Sequence, residues 1–116
     1  MSKDVRLNVA FYGEASGKEP VRDLLRSLDR ASKRTLGEDN KTVQFGWPLG
    51  MPLVRGQSSG LWEVRSRLRD TAARVIFIIE NGYRVLLHRF IKKSRATPII
   101  DLDLARRRAI NVRNHD

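Results

Sequence analysis

Two apolar runs meet at Asn81-Gly82: Arg74 to Ile79 before it, and Tyr83 to Phe90 after it. A two-residue type I′ hairpin needs positive φ at both positions, and Asn followed by Gly tolerates this at least cost. The dipeptide therefore predicts an antiparallel pair closed by a tight turn. Val75 to Ile79 is apolar at every position, so the first run reads as a central strand buried on both faces. Leu61 to Leu68 alternates instead, with Trp62, Val64 and Leu68 on one side and Glu63, Arg65 and Arg67 on the other. Arg69-Asp70-Thr71-Ala72 reads as the turn that joins it to the central strand. Val5, Leu7, Val9 and Phe11 alternate within Val5 to Tyr12, which adds a strand near the N-terminus.

Between the first strand and the others the spacing changes from two to about three and a half. Val21, Leu24, Leu25 and Leu28 follow helical periodicity behind Pro20, whose missing N–H suits a first helical turn. A second helix is expected over Leu36 to Phe45, with Gly37 near its start. The pair predicts a helical hairpin, and one long helix broken near Thr35 is the alternative. Gly46 to Gly60 is rich in glycine and proline and reads as a loop, its apolar residues Trp47, Leu49, Met51, Leu53 and Val54 tucked under the helices. Asp101 to Val112 places Leu102, Ala105, Ala109 and Val112 on one side of a C-terminal helix. The tail from Arg113 is expected to fray.

One domain over residues 1–116 is expected, since no linker or shift of composition divides the 116 residues. With no cysteine, thiolate nucleophiles, disulfides and Cys-type zinc sites are all excluded. His88 and His115 are the two imidazoles, in unrelated contexts, and no metal or cofactor is expected. The longest apolar run is too short to span a bilayer, and Arg6 and Asn8 interrupt any signal-like core, so the cytoplasm is the expected location.

Charge narrows the function. The formal net charge is +10, which favours phosphate polymers through counterion release. Nine basic residues fall between Gly60 and Arg95, against Glu63, Asp70 and Glu80. The excess thus sits within the expected sheet. Counting back from Asn81-Gly82 pairs Glu80 with Tyr83 and Arg74 with Arg89. If Asp70-Thr71 closes the preceding turn, Arg67 falls opposite Arg74. This predicts a row of Arg67, Arg74 and Arg89 on one face, with Arg65 one step further along. Phe90 would then lie on the opposite face, with Val75, Phe77 and Leu86. Like charges directly opposite are unfavourable unless an anion, a carboxylate or solvent compensates. Arginine binds phosphate bidentately and stays charged, so such a row suits a scissile phosphate. A solvated basic face neutralised by Glu63, Asp70 or C-terminal acids is the alternative. A bulge would redirect alternate side chains. Lys92, Lys93 and Arg95 extend the patch beyond the last strand. His88 is an acid–base candidate, although its position favours a hydrogen-bonded, partly buried structural role.

The segments Gly60-Leu61-Trp62-Glu63-Val64-Arg65-Ser66-Arg67-Leu68, Ala73-Arg74-Val75-Ile76-Phe77 and Leu87-His88-Arg89-Phe90-Ile91-Lys92-Lys93, followed by Thr97-Pro98 and Ala105, resemble the RelE/ParE toxin superfamily. Met51-Pro52-Leu53-Val54 is similar to its phage-derived branch, which includes HigB-like toxins. The resemblance implies an α+β fold of RelE-like type: an antiparallel sheet of about four strands packed on an N-terminal helical hairpin, with a C-terminal helix. It implies a type II toxin–antitoxin toxin that cleaves mRNA on the ribosome without metal, the RNA 2′-OH attacking its own phosphate. A helix-turn-helix antitoxin is the implied partner. Arg74 matches the strand arginine expected to stabilise the transition state, with Lys93 and Lys92 as further catalytic cations. Arg65, Arg67, Arg89 and Arg95 are expected to bind RNA. A C-terminal tyrosine found in some members is replaced here by Pro98-Ile99-Ile100-Asp101, so the general base is left among Lys92, Lys93 and His88. A gyrase-directed ParE-like toxin, a non-catalytic toxin and a phage RNA-binding protein are the alternatives.

Overall fold

The computed structural model describes residues 8–46, 54–56, 60–69, 71–92 and 97–114. Its elements run β1 (Asn8–Phe11), α1 (Pro20–Ser27), α2 (Arg30–Gly46), β2 (Val54–Gly56), β3 (Trp62–Arg67), β4 (Ala72–Glu80), β5 (Tyr83–Lys92) and α3 (Ile99–Asn114). The strands form one sheet in the order β1-β5-β4-β3-β2, antiparallel except for β1, which runs parallel to β5. This is the expected α+β arrangement with one strand more than anticipated. The added strand, β2, lies in the stretch read as loop. Gly56 pairs with Trp62, and a Cβ at Gly56 would stand 3.1 Å from the indole ring. Strand formation here thus relies on a residue that ordinarily disfavours strands, because the indole lies where a side chain would be.

Asn81 (φ 51°) and Gly82 (φ 81°) both occupy the left-handed region, as the type I′ turn requires. The helical hairpin forms, but its break lies at Leu28-Asp29 and not near Thr35. Asp29 sets the boundary: its carboxylate accepts the Ser32 N–H at 3.1 Å, a helix N-cap that starts α2 at Arg30. Gly37 is therefore inside the helix. At α1, Pro20 occupies the first turn and the Asp23 carboxylate accepts the Glu19 N–H at 3.2 Å.

The sheet is covered on both sides. Val64, Ala73, Val75, Phe77 and Leu86 pack against Val21 of α1 and Leu36 and Val43 of α2. Leu61, Ile76, Ile78, Val85 and Leu87 pack against Ala105 and Ala109 of α3, with Leu102, Val112 and Phe90 alongside. Each large apolar side chain so buried contributes about 1.5–3 kcal/mol. The small residues at 105 and 109 let α3 approach the sheet closely. Arg84 ties β5 to α2 from within the first layer. It is fully buried, lies 4.2 Å over the Phe77 ring, and donates to Asn40 O and Asn40 Oδ1 at 3.0 Å each. Burial pulls its pKa down to about 10.

Candidate functional site

The arginine row does not form as counted, for two separate reasons. First, Leu68 N–H donates to Thr71 O at 2.9 Å, so the β3–β4 reversal closes one residue earlier than assumed. The register moves by two, which preserves the faces: Arg65, not Arg67, stands opposite Arg74, and Arg67 faces Ala72. Second, the β4–β5 register holds from Glu80↔Tyr83 to Phe77↔Leu86, then shifts so that Ile76 pairs with His88. The bulge leaves Leu87 as the extra residue. Arg89 now pairs with Val75, Phe90 takes the place opposite Arg74, and Phe90 joins the α3 layer. A shift of one residue exchanges the faces, and this removes Arg89 from the row.

Arg74 is only 5 % exposed. Its Nε lies 3.3 Å from Oε1 of Glu63, which is wholly buried, at ion-pair distance but not aligned for a hydrogen bond. Thr97 Oγ1 donates to Glu63 Oε2 at 2.6 Å, so the segment leading into α3 holds the same carboxylate from its other oxygen. β3 supplies Glu63 and Arg65 at alternate positions, and Arg74 stands opposite Arg65. Two opposed guanidiniums are therefore tolerated beside one buried carboxylate.

Arg65, Arg67 and Arg74 line one cleft of about 540 Å³, together with Ser66, Ala72 and, from α2, Thr35 and Asp39. The Ser66 hydroxyl is buried with no hydrogen-bond partner among the described residues. A larger cavity of about 730 Å³ lies between β1, the start of β5 and α3. No cationic side chain lines it, and its acids are Glu14 and Glu80. Of these two, the arginine cleft has the chemistry for a phosphate.

His88 lies outside that cleft's lining. It is 6 % exposed, with Nε2 2.7 Å from Asp101 Oδ1 and Nδ1 3.4 Å from Arg108 Nη1. A guanidinium can only donate, so Nδ1 accepts and Nε2 carries the proton towards Asp101. Burial lowers the His88 pKa, and the Asp101 hydrogen bond opposes this. Arg108 also donates to Leu87 O at 2.7 Å and to Glu14 Oε2 at 3.2 Å. Both ring nitrogens are thus engaged in joining the sheet to α3. Lys92 closes β5 opposite Ala72, and its side chain lies outside what is described. Lys93, Arg95 and His115 also lie outside the described residues, as do Val5, Leu7, Trp47, Leu49, Met51 and Leu53.

Sequence reading did not single out Thr35 and Asp39, which lie one helical turn apart on α2. Their polarity beside buried Leu36 was the available signal, but only the packing of α2 reveals what they approach. Among the described residues no group of His, Asp and Glu could hold a metal ion, and no helix is long and apolar enough to cross a membrane.

Fold and cleft together define a small, basic α+β protein with three arginines converging where a phosphate-bearing chain could lie. The family model of phage-derived Gp49-like proteins (DUF891) matches residues 23–109, from α1 through most of α3. The chain belongs to this family, which is part of the RelE/Gp49 toxin family. No match was found among curated proteins.

Proposed function

We propose that this protein is the toxin of a RelE-type toxin–antitoxin pair, of the HigB-like branch, and that it cleaves mRNA on the ribosome. The observation that carries the reading is the shared cleft of Arg65, Arg67 and Arg74. Three guanidiniums beside the carboxylates of Glu63 and Asp39 leave an excess of positive charge, which a phosphodiester complements. Arg74, held by Glu63, is the fixed group suited to charge that develops on the phosphoryl oxygens. Arg65 and the exposed Arg67 bind the flanking backbone. Lys92 ends β5 opposite Ala72 of the cleft, Lys93 and Arg95 follow it in sequence, and the three extend this role, whereas Arg89 contributes only through the general field. A small antitoxin is the partner that would keep the toxin silent in its host.

Induction without antitoxin should arrest growth, and mapping of transcript 5′ ends should show new ends within translated regions. Arg65→Ala with Arg67→Ala should relieve the arrest while the protein stays folded, because Arg67 is exposed and Arg65 only half buried. RNA binding should weaken with salt at a slope of roughly −2 in log K against log salt, about −0.7 for each of three contacts. Intact transcripts accompanied by DNA damage would instead point to gyrase and would defeat the reading.

A further inference from the structure

Cleavage by an RNA 2′-OH needs a group to take the hydroxyl proton, and we propose that Asp39 is that general base. The assignment rests on the proposed ribonuclease reading and deepens it. Asp39 is half buried on α2 and lines the cleft that Arg65, Arg67 and Arg74 line from the sheet. It is the one carboxylate in that lining, and no ion pair or hydrogen bond engages its side chain among the described residues. Glu63, the other nearby acid, is fully buried and taken by Arg74 and Thr97. His88 has both nitrogens engaged elsewhere.

A second observation marks the cleft as a ligand site. Ser66, 2 % exposed, contributes a buried hydroxyl with no partner to the same lining. A buried hydroxyl left unbonded costs free energy, and a ribose or phosphate oxygen within reach would restore the bond. Thr35, one turn before Asp39, spends its hydroxyl proton on Ala31 O at 3.2 Å, so its oxygen retains lone pairs to accept from a sugar hydroxyl. Sugar-binding hydroxyls, a proton acceptor and phosphate-binding guanidiniums thus line one cleft.

The step balances without any oxidant or metal. The 2′-OH gives its proton to the Asp39 carboxylate as O2′ bonds to phosphorus. Charge gathers on the phosphoryl oxygens against Arg74. The P–O5′ bond then breaks, and the 5′-oxygen takes a proton from water. The products are a 2′,3′-cyclic phosphate and a 5′-hydroxyl end. A positioned base of this kind contributes about 10²–10⁴-fold to rate.

The test is the single-turnover cleavage of a defined mRNA on programmed ribosomes, from pH 5 to 9, by wild type and Asp39→Asn. Binding of the same mRNA is measured alongside, and the unfolding midpoint establishes that both proteins are folded. Cleavage should fall on the order of 100-fold or more at every pH in the range. RNA binding should be equal or tighter, because the substitution removes a negative charge from an arginine-lined cleft. Asp39→Glu should recover part of the rate. A wild type that cleaves, beside an Asp39→Asn variant of similar rate, overturns the base and leaves the ribonuclease reading standing. A rate loss matched by an equal loss of RNA affinity also overturns it, since that pattern belongs to a supporting residue. A wild type that cleaves no mRNA overturns the reading and the base together.

Discussion

Glu63 is where the sequence's acid–base pattern matters most. It alternates with Arg65 and Arg67 on one strand, yet it alone is drawn wholly into the interior, where it meets Arg74 and Thr97. Burying either charge alone would cost several kcal/mol, so the pair stands or falls together. Arg74→Ala should therefore destabilise the fold by about 3–5 kcal/mol, which makes it a poor test of chemistry unless stability is measured too. Replacing both partners with apolar residues, Glu63→Leu with Arg74→Met, should cost less than either single change, because no charge is then left alone. Urea denaturation of the three variants decides this. If the double variant loses the sum of the two singles, the coupling does not exist. The arginines and the acid were all legible in the sequence, but their pairing depended on a register that closed two positions away from the one counted.

At the scale of elements, the β4–β5 hairpin shows both the strength and the limit of local rules. Its turn is dictated by two residues, and the observed φ values of Asn81 and Gly82 match the turn type read from them. Gly82→Ala should cost about 1–2 kcal/mol, since a Cβ in the left-handed region meets the following carbonyl. Thermal unfolding checks this, and an unchanged midpoint would mean that the turn does not govern the pair. Five residues from the turn the same hairpin departs from its simplest register, where Leu87 is left unpaired on β5. No residue type announces that bulge. Leu87 fits the alternation as well as its neighbours do, and the bulge is tolerated because both faces of the sheet are apolar and each has helices to cover it. The consequence is large: Arg89 moves away from the arginine face and His88 moves towards α3. Alternation therefore identified strands reliably, but facing only as far as the bulge.

Across the whole molecule, α3 is coupled to the rest through His88. Its imidazole bonds Asp101 of α3, and Arg108 of α3 reaches the β5 backbone and Glu14 in the segment after β1. The folded His88 pKa lies below its ordinary value of 6.5, chiefly through burial. As pH falls past 6.5, the unfolded chain therefore takes up a proton before the folded chain can, and stability declines until the folded pKa is passed. Stability should be full above about pH 7 and fall towards pH 5, with His88→Gln reducing that dependence. Denaturant midpoints across this range check the sign. A midpoint rising on acidification would show that the Asp101 hydrogen bond outweighs burial. The bond was expected of a structural histidine, but its partner lies 13 residues away on an element that only tertiary packing brings alongside.

The sequence by itself determined four of the five described strands, the presence of three helices, the tight turn at Asn81-Gly82, the buried central strand and a concentration of positive charge on the sheet. These follow from periodicity, backbone preference and composition, which act over a few residues. Tertiary structure decided the rest: which arginines share a cleft, which carboxylate holds Arg74, and that Asp39 lines the same cleft. A one-residue bulge exchanges the faces of a strand, and the approach of a helix to a sheet depends on every side chain between them. Those are sums over the whole core, and no local pattern contains them.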